Sequence, residues 1–305
     1  MKQKAIQHIH IYSLAQQNAI LGFPKPKHPL FSIQRFEDFP KIVSEEKIKL
    51  SMDFYQITFK KGCPGKFRYG QSDYDFDEGV LSFFAPNQVF ITEGDFIAPS
   101  GYLILIHPDY LRSYPLESKI KTFSFFDYAV TESLILSDEE EQFIENVFIQ
   151  IEKEFHRPID SLSQDVILSN LELLLTYSNR YYTRQFITRK PQYNNLLSKF
   201  EARLNELFTD ELLSENGLPN VADLASEFNL TSKYFSDLIK QHTGQSTQQH
   251  IHAKLIEKAK EKLSTTELSV GEIAFQLGFE HSQSFSKLFK IKTNQTPVEF
   301  RQSVN

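Results

Sequence analysis

A chain of 305 residues that is 40% hydrophobic and 24% charged has the composition of a soluble globular protein and the length for two domains. Its single cysteine, Cys63, excludes an intramolecular disulfide and a cysteine-only metal centre, and no run of about 18 apolar residues offers a membrane span. The net charge of −6 is not spread evenly: from Gly217 onward ten Lys or Arg face nine Asp or Glu, so the negative excess lies upstream.

The opening stretch MKQKAIQHIHIY lacks the apolar core of a signal peptide, which predicts a cytoplasmic protein. Residues 1 to about 130 carry strand signals. Leu30 to Phe36, Met52 to Phe59, Val80 to Phe84, Tyr102 to Ile106 and Thr122 to Phe126 are rich in β-branched and aromatic residues, with turn clusters such as Gly62-Cys63-Pro64-Gly65 between them. Many short strands at close spacing predict a β-barrel or sandwich. Within Asp77 to Ile91, a glycine, the apolar strand Val80 to Phe84 and a turn at Pro86 resemble the corresponding motif of cupin barrels. Metal-binding cupins place a ligand histidine after that proline. Here Val89, Phe90 and Ile91 follow, which implies an apolar effector pocket without metal, with Tyr55, Phe83 and Phe90 as its candidate lining. His8 and His10 would point to one face of a strand and read as an edge-strand pair rather than a metal site, since no third ligand stands nearby in the sequence. Cys63 has no resolving partner for a redox role, and His107 before Pro108 reads as a strand end.

From Ser137 the period changes to helical. Ser137 is a candidate N-cap, Asp138, Glu139 and Glu140 fill a first turn that favours negative charge, and Phe143, Ile144, Val147 and Ile151 form the apolar stripe. Pro158 breaks this helix, and Asp160 or Ser161 caps a second one with Val166, Ile167, Leu171, Leu174 and Leu175 on its main stripe, widened by Leu168, Leu173 and Tyr177. So wide a stripe predicts burial on two sides, against the barrel and against a second copy of the chain in a homodimer. The basic, proline-containing segment Arg184 to Gln192 reads as a connector and Glu211 to Pro219 as a polar loop. The expected division is a sensing and dimerisation domain at 1–185 (barrel about 1–130, helices about 138–183), a linker at 186–194 and an all-α domain at 195–305.

Within the all-α domain a single pattern occurs twice. Val221, Leu224, Ala225 and Phe228 form a helical stripe, and Phe235, Leu238 and Ile239 a second. Val270, Ile273, Ala274 and Leu277, then Phe285, Leu288 and Phe289, repeat them, at an offset of 49 for the first helices and 50 for the second. Ser269 and Glu272 make a capping box, and Gly278 ends the first downstream helix. Each pair predicts a helix-turn-helix whose second helix shows a polar outer row: Lys233, Ser236, Asp237 and Lys240 upstream, Gln283, Ser286, Lys287 and Lys290 downstream. Lys287 and Gln283 have the chemistry to read guanine and adenine edges, with Lys233, Ser236, Asp237 and Ser286 the other base-reading candidates; Lys240, Lys290 and Lys292 suit phosphates. Between the units, Thr247 to Leu263 predicts a helix of roughly 26 Å with Ile251, Leu255, Ile256, Ala259 and Leu263 inside and Lys258, Lys260 and Lys262 outside. That length suits two helices set in successive major grooves, roughly 34 Å apart.

Glu272-Ile273-Ala274, Gly278-Phe279, Phe285-Ser286, Phe289-Lys290, Thr296-Pro297 and Phe300-Arg301 resemble the AraC/XylS family of bacterial transcription regulators, over about residues 195 to 301. The family pattern differs at three positions: Leu255 stands where Arg is common, Ser284 for Tyr and Asn294 for Gly. The resemblance implies an α+β chain with a cupin-like sensing barrel and a double helix-turn-helix domain. It also implies a regulator that binds double-stranded DNA, responds to a small-molecule effector and works with RNA polymerase, without catalysis or a cofactor. Two alternatives are a cupin-like metal-dependent enzyme fused to a helical module and a protein-interaction co-regulator that does not bind DNA. The first lacks metal ligands where they are expected, and the second is favoured only by the near-neutral upstream outer row.

Overall fold

A computed structural model of the chain describes residues 7–40, 48–61, 66–69, 72–75, 79–92, 100–188 and 190–304. Cys63 and its turn lie outside these residues. The chain forms two compact units, Met1–Gln185 and Phe186–Asn305.

The first unit contains β1 (Gln7–Ile11), α1 (Leu14–Leu21), β2 (Phe31–Arg35), β3 (Ile48–Met52), β4 (Tyr55–Lys61), β5 (Lys66–Tyr69), β6 (Ser72–Asp75), β7 (Val80–Phe84), β8 (Phe90–Thr92) and β9 (Ser100–Ile106). After these come α2 (Leu116–Lys119), β10 (Leu134–Ile135), α3 (Asp138–His156) and α4 (Ser163–Thr188). Among the described residues the strands form separate open sheets, ordered β10-β7-β4-β9-β2 and β1-β3-β8, with a β5-β6 hairpin. The expected barrel is therefore not closed. The larger sheet ends at a two-residue strand on one side and at β2 on the other, and its outer face is buried by helices instead.

Alternation along the strands divides that sheet into two faces. Tyr55, Ile57 and Phe59 of β4 and Tyr102, Ile104 and Ile106 of β9 share the outer face and are all buried. Phe59 and Tyr102 stack on Phe148 of α3 at 5.5 and 5.3 Å, and Arg35 holds Glu152 of α3 in a two-pronged ion pair. On the other face Leu103 and Leu105 pack with Ile11, Leu14 and Met52, which join the small sheet to the large one. The expected strand Thr122 to Phe126 is instead two 3-10 turns, Ile120–Thr122 and Ser124–Asp127. Its rings plug the outer face, Phe83 lying 4.4 Å from Phe125 and Phe125 stacking on Tyr182 of α4.

Both caps of the helical pair lie where polarity places them. Ser137 and Glu140 form a reciprocal capping box at the start of α3. Asp160 Oδ1 accepts from the Leu162 amide at 2.8 Å and from the Ser163 hydroxyl at 3.2 Å before α4. Leu171, Leu174 and Leu175 are fully buried, whereas Val166 and Leu173, expected on the buried stripe, are 41% and 40% exposed.

The second unit is helical: α5 (Lys190–Leu207), α6 (Asp210–Asn216), α7 (Val221–Glu227), α8 (Ser232–Thr243), α9 (Thr247–Thr265), α10 (Val270–Gln276), α11 (Ser282–Thr293) and α12 (Pro297–Val304). The segment read as a connector is helical through Thr188 and again from Lys190, and α6 occupies the expected loop because Leu213 inserts into the core at 1% exposure. No helix among the described residues is long and apolar enough to cross a membrane.

Candidate nucleic-acid interface

The two helix-turn-helix units are built from equivalent hydrogen bonds. Upstream, the Asn220 side chain accepts from the Asp223 amide at 2.9 Å to start α7, Asn229 takes the left-handed conformation (φ 56°), and the Leu230 amide donates to Ala225 O at 3.0 Å. Downstream, Ser269 and Glu272 close the predicted capping box at 2.7 and 3.2 Å, Gly278 takes φ 83°, and the Phe279 amide donates to Ala274 O at 3.0 Å. The downstream turn is longer by one residue, so α11 starts after His281, whose side chain does not cap it, while Thr231 caps α8. Only glycine fits at 278. A Cβ there would lie 2.7 Å from the Leu218 amide nitrogen and 2.8 Å from the Gly217 carbonyl carbon, so the downstream turn rests directly on backbone leading into α7.

The repeat extends to a third helix, which the apolar stripes did not reveal. Gly244 ends α8 and Asn294 ends α11, both left-handed, and each amide donates to the lysine four residues back, Lys240 O or Lys290 O, at 2.8 Å. Asn294 thus performs the task of the glycine it replaces. The Thr243 and Thr293 hydroxyls donate to Ile239 O and Phe289 O at 2.8 Å and accept from the Gln245 and Gln295 amides at 3.2 and 3.3 Å. Ser246 with Gln249 caps α9 as Thr296 with Glu299 caps α12, each through a 2.7 Å bond from the cap amide. The sequence signal is the pair Thr243-Gly244-Gln245-Ser246 and Thr293-Asn294-Gln295-Thr296.

The joining helix differs from expectation on one face. Lys262, read as exposed, is buried at 8%, and its ammonium donates to Gln276 Oε1 at 2.9 Å and meets Asp210 at 3.1 Å. Lys258 is half-buried beside the same aspartate; Lys260 remains exposed, over the Phe300 ring. Arg301 donates to Leu263 O at 3.1 Å and to Leu268 O at 2.7 Å, fastening α12 to the end of α9. Leu255 is buried at 1% and packs inward.

Outer rows form on both second helices. On α11, Gln283, Lys287, Lys290 and Lys292 are exposed and Ser286 is half-buried, and the three lysines make no ion pair among the described residues. On α8, Lys233 and Lys240 are exposed while Ser236 and Asp237 are half-buried. Beside α11, His252 of α9 pairs with Gln248 at 2.9 Å; burial, then the charge of Lys292, holds its imidazole below the usual histidine pKa. Sequence reading passed over His252 because a lone histidine on a linker helix carries no pattern.

In the first unit, Tyr55 and Phe83 lie in the aromatic layer under the helices, with Tyr55 5.1 Å and Phe83 5.5 Å from Phe126. The Phe90 side chain lies outside the described residues. The opposite face of the sheet is mixed: register aligns Ser32, Gln34, Gln56, Thr58 and Ser82 there beside Phe84, Leu103 and Leu105. Gln17 Oε1, Ser32 Oγ and Gln34 Oε1 are buried without a hydrogen-bond partner among the described residues. The alternation Tyr55-Gln56-Ile57-Thr58-Phe59 carried that signal in the sequence. His8 and His10 both meet Ser51 Oγ, at 2.9 and 2.8 Å, and His10 also meets Asp53 at 3.0 Å, which ties β1 to β3. Among the described residues no group of three or more His, Cys, Asp or Glu is placed to hold a metal.

Comparison with known proteins points to the second unit. A family model described as a helix-turn-helix domain matches residues 224–303. The raffinose operon transcriptional regulatory protein RafR of Pediococcus pentosaceus is 30% identical over 156 residues, 51% of this chain and 53% of that protein. The HTH-type transcriptional activator RhaS of Enterobacter sp. (strain 638) is 35% identical over 109 residues, 35% of this chain and 38% of that one. The chain therefore spans about half or less of the length of these relatives. Among solved structures, the C-terminal domain of the response regulator yesN from Fusobacterium nucleatum is 34% identical, covers 35% of this chain and 98% of that one, and has a TM-score of 0.32. Residues 224–303, the two helix-turn-helix units and the helix that joins them, are a domain of the AraC type.

Proposed function

We propose that the chain is a sequence-specific DNA-binding transcription regulator that places α8 and α11 in successive major grooves. The observation that carries this reading is the duplicated three-helix unit, whose downstream copy presents Lys287, Lys290 and Lys292 to solvent with no acid among them. Gln283 and Lys287, with Ser286, are assigned to base edges downstream, and Lys233, Ser236 and Asp237 upstream; Lys240, Lys290 and Lys292 are assigned to phosphates. The N-terminal unit would supply control. Its inner sheet face, with the unpartnered acceptors of Gln17, Ser32 and Gln34, supports a polar effector site there rather than at Tyr55 and Phe83. Val166 and Leu173, exposed on α4, support a homodimer through that helix. RNA polymerase as a partner rests on the family resemblance.

Titration of the full chain against random duplex at several salt concentrations tests the DNA reading. Affinity should fall linearly on a logarithmic salt scale, with a slope of roughly −0.9 per phosphate contacted. Binding with no salt slope would put the protein-interaction reading ahead.

A further inference from the structure

The first helix of each helix-turn-helix copy ends on a side chain that the preceding long helix holds with a cation. Upstream, Arg203 of α5 binds Glu227, the last residue of α7, in a two-pronged ion pair at 2.8 and 2.9 Å. Downstream, Lys262 of α9 donates to Gln276, the last residue of α10, at 2.9 Å. Positions 227 and 276 are equivalent, at the offset of 49 that relates the first helices.

The downstream copy lacks the acid of its counterpart. Gln276 is neutral and Lys262 is buried at 8%, so the ammonium needs a counter-charge from elsewhere. Asp210, the first residue of α6, supplies it at 3.1 Å, and the same oxygen draws Lys258, one turn earlier on α9, to 3.7 Å. Asp210 lies outside both copies: it precedes α7 in the chain, yet its charge acts on the helix that leads into α10.

The α6 segment touches the downstream copy a second time. Leu213 is buried, the Gly217 amide donates to Leu213 O at 3.1 Å to end the helix, and Gly217 and Leu218 then press on Gly278 closely enough to exclude a side chain there. Only Pro219 and Asn220 separate this contact from α7. The two copies are therefore joined twice, covalently through α9 and again across α6, from Asp210 at its start and Gly217 at its end. A single connecting helix would let the copies swing about the short segment 266–269, and a second, separate attachment removes that freedom.

We propose that α6 is a brace that fixes the separation of α8 and α11, with Asp210 and Lys262 as positioning residues, and that it restricts the chain to DNA sites of one half-site spacing. The spacing rests on the double reading proposed above; the brace itself does not. Two recognition helices held rigidly reinforce each other only on a duplex whose spacing matches theirs. A base pair added between half-sites moves one of them by roughly 3.4 Å and turns it by roughly 35°.

Two measurements on the full chain test the proposal. In the first, nitroxide labels on Lys233→Cys and Lys287→Cys, with Cys63→Ser, report the distribution of distances between α8 and α11 by pulsed electron resonance without DNA. The distribution should be narrow, and Asp210→Asn should broaden it; the Asp210 side chain is 61% exposed, so its replacement leaves no cavity. Adding Gln276→Glu to Asp210→Asn returns a local acid to Lys262, as Glu227 serves Arg203, so thermal unfolding should recover while the distribution stays broad. Glu227→Gln, which breaks an ion pair that α6 does not share, should leave the width unchanged. In the second, the duplex selected from a random library is compared with versions one base pair longer or shorter between its two blocks. The chain should prefer the selected spacing about tenfold or more, and Asp210→Asn should cut that preference to about threefold or less without changing base preferences within either block. An unchanged width in Asp210→Asn, or a width that recovers together with thermal unfolding in the double variant, overturns the brace. Equal binding by the unmodified chain at all three spacings overturns the spacing restriction. The expected widths with no two-block site would overturn the double reading instead.

Discussion

The two helix-turn-helix units share a scaffold and differ at their surfaces. Their turn bonds to Ala225 and Ala274 and the caps of their third helices at Ser246 and Thr296 correspond, although Thr231 caps α8 and His281 leaves α11 without a side-chain cap. Their outer rows do not: α8 places Asp237 between Lys233 and Lys240, while α11 has lysines and neutral side chains only. The turns differ too, since Asn229 holds the left-handed position upstream and Gly278, pressed on Gly217 and Leu218, holds it downstream. Scaffold and reading surface are thus separate layers of the sequence, and the second can diverge while the first is kept. Under the proposed function the downstream unit is expected to supply more of the phosphate affinity, and the upstream unit to discriminate more than it holds.

The largest expected effect sits in the scaffold. Gly278→Ala combines a strained backbone with a clash against main chain that cannot swing aside, and should cost about 2 to 5 kcal/mol in chemical denaturation. Asn229→Ala upstream should cost about 1 kcal/mol; equal losses would break the asymmetry of the turns. Next is the reading layer: Lys287→Ala should weaken binding to the selected sequence by about 1 to 3 kcal/mol and relax preference at one position. A uniform loss across all sequences would assign Lys287 to phosphate instead. Lys290→Ala should leave preference intact and flatten the salt slope by about one.

The smallest effect is acid sensitivity. Glu272 is held below its ordinary value of 4.5 by hydrogen bonds from the Ser269 hydroxyl and amide, and Glu299 by those from the Thr296 amide and hydroxyl. A depressed carboxylate stabilises the fold above its unfolded value, and that contribution is lost as pH falls through the lower folded value. Upstream, the equivalent of Glu299 is the neutral Gln249. Below about pH 4.5, the protection of amides against exchange, taken relative to their intrinsic rate at the same pH, should therefore fall in the first turns of α10 and α12 but not in that of α9. Lost protection in all three would remove this difference between the units.

Much of the second unit was legible because its signals are local. The stripes Val221 to Phe228 and Val270 to Leu277 and the Ser269–Glu272 box are spacings within one helix. What was missed depends on residues distant in sequence. Lys262 looks like a surface lysine until Asp210 and Gln276 converge on it, and α6 forms because Leu213 finds a core. In the first unit, the aromatic run Phe123, Phe125 and Phe126 resembles a strand by composition, but its rings fill gaps over Phe83 and Tyr182 from 3-10 turns. The polar residues of the inner face were present as alternation in β4 and were hidden by the bulk of their aromatic neighbours.

The proposed double reading is tested most directly by selecting bound sequences from a random duplex library with the full chain and with Lys287→Ala. Two blocks of preferred sequence should emerge roughly one helical turn apart, and the substitution should alter letters in one block only. A single block, or two blocks that both change, would contradict recognition by two separate helices.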